Sequence, residues 1–223
     1  MSPANSPHPD ARLAEAQAAA AAGDWLTACA RYTELVQAHS SPAGSLLLAW
    51  SEALKYSGAF LEACQAVERA YRAFVAQGDE LGAARCTTFI TGFRMMFGDR
   101  PGAEAWERRG WRHLDRVGPC RERGYHAVAY VACDVPDPDS LLQRAELALG
   151  VAKEFQERAL ELRAMADKGL ALVSSGSVDE GFSLLDEVMV AVIAGEIPDP
   201  QTRGLALCAL MTACERCDDR GRA

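Results

Sequence analysis

Three stretches of this chain repeat one arrangement of side-chain sizes after one kind of break. Gly23-Asp24-Trp25 is followed by Ala28, Tyr32 and Leu35. Gly58-Ala59-Phe60, 35 residues on, is followed by Ala63, Val67 and Ala70, and Gly176-Ser177-Val178 by Gly181, Leu185 and Val188. Each set runs small, larger, apolar or small at steps of four and three, which places it on one face of an α-helix. The 118 residues from Ala63 to Gly181 divide into three units of about 39. Self-similarity at that period is the mark of stacked helical hairpins, none of which buries its apolar face alone. The small residue belongs where the two helices of a hairpin cross closely, and the larger one fills the gap to its neighbours.

The rest of the chain agrees with helices. Alanine, the strongest helix former, supplies 41 of 223 residues, and no segment alternates convincingly at period two. Asp24 follows a glycine that can close the preceding helix. Ser41-Pro42, Asp137-Pro138 and Asp199-Pro200 each set a capping side chain before a proline suited to the first helical position. Ser177-Val178-Asp179-Glu180 fits a capping box. The fold class expected is all-α, a right-handed α-solenoid of about five hairpins over residues 10–40, 42–77, 79–117, 121–156 and 158–195. An incomplete sixth spans 199–223, and a disordered proline-bearing tail covers 1–9. The units around Gly98 to Val117 and Asp134 to Phe155 fit the register less well. The pattern restarts at Asp218-Asp219-Arg220, with Ala223 at the small position, so the last hairpin is expected to be cut within its second helix.

Charge and cysteine content narrow the function. A formal net charge of −8 opposes phosphate contacts, so direct nucleic-acid binding by this chain is not expected. No stretch approaches the about 20 apolar residues of a membrane span, and Met1 to Pro9 lacks the features of a signal peptide. The eight cysteines (29, 64, 86, 120, 133, 208, 214, 217) lie mostly in apolar helical runs, which predicts reduced thiols in a cytoplasmic protein.

With a small residue early in each second helix, the hairpins resemble tetratricopeptide repeats. A narrower resemblance lies in Lys168-Gly169-Leu170-Ala171-Leu172-Val173, Ser177 to Ser183 (SVDEGFS), Leu184 to Met189, Ala194-Gly195-Glu196 and Thr212 to Arg216. With Glu68-Arg69-Ala70-Tyr71, Gly78-Asp79 and Gly82 to Arg85 upstream, these segments are similar to the repeat region of actinobacterial LuxR-type transcriptional regulators. The resemblance implies a helical array that senses a ligand or protein partner, followed in the family by a helix-turn-helix domain that binds promoter DNA. This chain stops before any such domain. It is expected to be the sensor portion of such a regulator, with a stand-alone relative as the other reading.

Several constellations are candidates for chemistry. Cys214 and Cys217, with Cys208 six residues earlier, have metal or redox spacing, but no second pair or histidine lies near, and Cys208 and Cys214 fall in an apolar helical run, so small hydrophobes are expected there and no metal or cofactor. His113, His126, Asp115 and Asp134 bring acid and base types without a catalytic motif, and no enzymatic activity is expected. Residues 94–123 hold eight arginines against five acids. They read either as a surface of ion pairs such as Glu104 with Arg108, or as a dock for an acidic peptide or anionic ligand.

Phe89, Phe93 and Phe97 at spacings of four suggest one face, joined by Met96, Trp106, Trp111, Tyr125 and Tyr130. This stripe is either core or a groove for a hydrophobic peptide or small molecule. The binding residues expected are Phe89, Phe93, Arg94, Phe97, Trp106, Trp111, Tyr125 and His126, on the concave face of a noncatalytic interaction or sensor module. The partner is a protein segment or small effector. The alternative is a stand-alone small-molecule binding protein or accessory enzyme using the cluster as a pocket, with His126 or Asp134 as polar handles. A homodimer through residues 199–223 is a further expectation.

Overall fold

The computed structural model describes residues 9–130, 137–197 and 199–217. The tail expected over 1–9, apart from Pro9, and the turn from Asp218 to Ala223 lie outside the described residues, as do Cys133 and Asp134. All regular structure among the described residues is helical: α1 Pro9–Ala21, α2 Trp25–Gln37, α3 Gly44–Tyr56, α4 Phe60–Gln77, α5 Glu80–Met96, α6 Arg100–Val117, α7 Glu122–Ala127, α8 Pro138–Phe155, α9 Arg158–Ser175, α10 Val178–Ile193 and α11 Pro200–Arg216. No helix among these residues is long and apolar enough to cross a membrane.

Aspartates start five of the eleven described helices, each accepting from free backbone N–H groups. Asp24 caps α2 through Thr27, Asp137 caps α8 through Asp139 and Ser140, and Asp199 caps α11 through Thr202. Asp79 and Asp99 do the same for α5 and α6. Two expected starts differ. Ser177 stands at the N-cap of α10 but makes no side-chain capping bond, so the box with Glu180 is not closed. Ser41-Pro42 precedes α3 without capping it. The helix begins at Gly44, where a Cβ would stand 3.0 Å from the Phe74 ring, so packing on α4 sets the start.

The helices pair in chain order, α1 with α2, α3 with α4, α5 with α6, α7 with α8 and α9 with α10, and the second helix of each pair contacts the first of the next. First helices also meet directly, α3 with α5, α5 with α7, and α9 with α11. Counting from the N-cap of each second helix, positions four, eight and eleven are Ala28, Tyr32 and Leu35; Ala63, Val67 and Ala70; Ala103, Glu107 and Gly110; Leu141, Ala145 and Ala148; Gly181, Leu185 and Val188. All of them are buried. The two middle pairs therefore keep the register that their residue sizes conceal.

Small residues in this register mark close approach. A Cβ on Gly181 would lie 2.6 Å from the backbone oxygen of Gly169 on α9, and the Ser51 hydroxyl donates to the carbonyl of Ala63 at 2.8 Å across α3 and α4. One large apolar cluster joins α8, α9, α10 and α11, and another joins α3, α4 and α5.

Candidate functional site

The last turn of α3 and the first turn of α11 meet beside the middle of α5. Lys55 is only 8% exposed, although an ammonium gives up strong hydration on burial. Its Nζ donates to Gln201 Oε1 at 2.7 Å and lies 4.2 Å from the Tyr56 ring centre and 5.0 Å from that of Phe89. These ring faces attract a cation. Burial still pushes its pKa below the ordinary value, against the opposing charges of Glu52 and Asp199.

The Tyr56 hydroxyl donates to Asp199 Oδ1, and its ring stacks on Trp25 with centres 4.3 Å apart. Burial, then Asp199, drives the Tyr56 pKa upward. Burial also works to raise Asp199, but hydrogen bonds from Thr202 and Tyr56 outweigh it and hold the carboxyl below the usual range. Glu52, one turn before Lys55 and Tyr56, is open to water. Its pKa is nevertheless raised, first by desolvation, with Lys55 opposing and Asp199 adding. On α7, Tyr125 donates to Glu157 Oε2 at 3.2 Å, and burial followed by Glu157 pushes its pKa up to about 12, with Asp199 near enough to contribute.

α3, α5, α7 and α11 thus bring together aromatic faces, one buried ammonium and one open carboxylate. Such a surface suits a mixed apolar and polar ligand. Among the described residues no group of three or more His, Cys, Asp or Glu is placed to hold a metal ion. Cys214 is buried, but Cys208 and Cys217 are exposed, so packing as a small hydrophobe holds for Cys214 and not for Cys208.

Of the eight residues expected to bind, Phe89 lies in this site and Tyr125 borders it, and the others are elsewhere. Phe93 is 3% exposed in the core, whereas Phe97 is 50% exposed at the C-cap of α5. Their shared face fails because each step of four residues advances about 400°, so the stripe drifts about 40° per step. Arg94 bridges Glu68 at 2.7 Å and Asp99 at 3.1 Å. Trp106 packs edge-on to Tyr71 with centres 5.0 Å apart and is covered by Arg109.

Trp111 meets His126 edge-on at 5.0 Å. His126 is fully buried, with Nδ1 hydrogen-bonded to Thr88 Oγ1 at 2.8 Å and Nε2 to the Glu107 carbonyl at 2.9 Å, so it is a core residue and not a polar handle. None of the eight lines either of two open depressions of about 390 and 310 Å³. Glu104 pairs with Arg100 at 3.7 Å in place of the expected Arg108.

Sequence reading missed Trp25, Glu52, Lys55, Tyr56 and Gln201 as site residues and took Asp199 as a cap alone. A signal was present in Lys55, one of only three lysines, set in the apolar run LLLAWSEALKY. No family model matches the chain, and no curated protein matches it.

Proposed function

We propose that the protein is a noncatalytic interaction or sensor module of tetratricopeptide type, a right-handed solenoid like the repeat region of LuxR-type regulators. Its inner face, built from the first helices of successive pairs, receives a protein segment or a small effector. The observation that carries this reading is the common register: five second helices bury the same three positions, while first helices touch one another and converge on Tyr56, Phe89 and Asp199. Stacked pairs of this kind use the face of the first helices as an extended binding surface. Partial exposure of Phe89 and Tyr125, with the open carboxylate of Glu52, supplies both apolar area and a polar anchor.

Panning a random-peptide phage library on the immobilised protein tests the proposal. Enriched peptides should lose about tenfold or more in affinity against Phe89→Ala and Glu52→Gln, with melting temperatures showing both variants folded. Enriched peptides that bind both variants as well as the parent would place the binding surface elsewhere and refute this assignment.

A further inference from the structure

The arginine excess over residues 94–123 divides in the structure into two groups. Arg94, Arg100, Arg116, Arg121 and Arg123 each reach a carboxylate. Arg108, Arg109 and Arg112, all exposed on α6, form no ion pair among the described residues. They are nonetheless held in place: Arg109 lies over Trp106 at 5.1 Å and Tyr71 at 5.8 Å, and Arg112 Nε donates to the Arg108 carbonyl at 3.3 Å. Three like charges within one turn repel one another, a cost that an opposite charge from outside would remove.

Arg108 also lines the depression of about 310 Å³ between α6 and α8, together with Arg100, Arg144 and Ser140. The carboxylates in that wall are already engaged, Glu107 by Arg144 at 2.5 Å and Glu104 by Arg100 at 3.7 Å. Arg108 is left as the uncompensated cation at its edge.

We infer that the exposed face of α6 docks an acidic protein segment in extended conformation, one carboxylate entering the depression beside Arg108 and the next reaching Arg112. The spacing fits. Arg108 and Arg112 are separated by about 6 Å along the helix axis, and alternate side chains of an extended chain by about 6.6 Å. Guanidinium forks match carboxylates with two hydrogen bonds each. A nucleic-acid strand fits less well, because the chain's formal net charge of −8 repels a long polyanion, whereas a short acidic segment meets only the local arginines. This surface is separate from the proposed inner-face site, so failure at one leaves the other standing.

The test is fluorescence anisotropy with a labelled peptide of alternating Glu and Ser. Binding should weaken with added salt and fall about tenfold or more for the Arg108→Glu/Arg112→Glu double variant, while Arg31→Glu on α2 stays at the parent level. Circular dichroism melts establish that each variant is folded. A peptide with Gln in place of Glu that binds equally, a double variant that binds as the parent does, or an oligothymidine of equal charge that binds more tightly than the peptide would each overturn the inference.

Discussion

His126 shows how one side chain is fixed by partners distant in sequence. Its two ring nitrogens meet Thr88 and the carbonyl of Glu107, and a Cβ on Gly110 would lie 2.3 Å from its Cε1, so Gly110 is the residue that lets the ring enter. Burial is the main cause that lowers the imidazole pKa from its ordinary 6.5. Below that value the unfolded chain takes up a proton that the folded one resists, so this contribution to stability is complete above pH 6.5 and is lost as pH falls. Urea unfolding should show the parent losing up to about 1.4 kcal/mol more than His126→Gln between about pH 7.5 and about pH 5.5. Equal losses would mean that His126 is not buried neutral. Nothing within the run RERGYHA distinguishes a core histidine from a ligand-binding one, since Thr88 and Glu107 lie 38 and 19 residues earlier.

Among the elements, the second helices carry the shared register, and it is testable at a position where the sequence left it hidden. Ala63→Leu and Ala103→Leu should each cost about 1–3 kcal/mol by overpacking a crossing, whereas Leu26→Ala, at a residue 75% exposed, should stay within about 0.5 kcal/mol of the parent. Thermal melts of the three variants decide it, and a neutral Ala103→Leu would remove the third pair from the register. The outer units were legible because Ala28, Ala63 and Gly181 are small where size matters most. The middle units were not, because Leu141 takes a small position and Glu107 a larger apolar one. Glu107 is tolerated there through Arg144, 2.5 Å away on the next pair, a compensation that no local pattern announces.

Across the whole molecule, hydrogen bonds between side chains join the end of α3 to the start of α11, Tyr56 to Asp199 and Lys55 to Gln201. Aspartate caps and glycine breaks made the order of the helices readable from sequence. The meeting of residues 143 and 146 positions apart left no such trace, and with it went most of the candidate site. Tyr56→Phe should speed amide hydrogen exchange in the last turn of α3 and the first turn of α11 while leaving α9 and α10 unchanged. Unaltered exchange at both ends would show that the hydroxyl contributes nothing to the junction. The junction also sets an order of events during synthesis. Pairs of adjacent helices can settle as they leave the ribosome, but the ammonium of Lys55 must stay hydrated until Gln201 has been translated, so the site is completed only after every helix between α3 and α11 has been made.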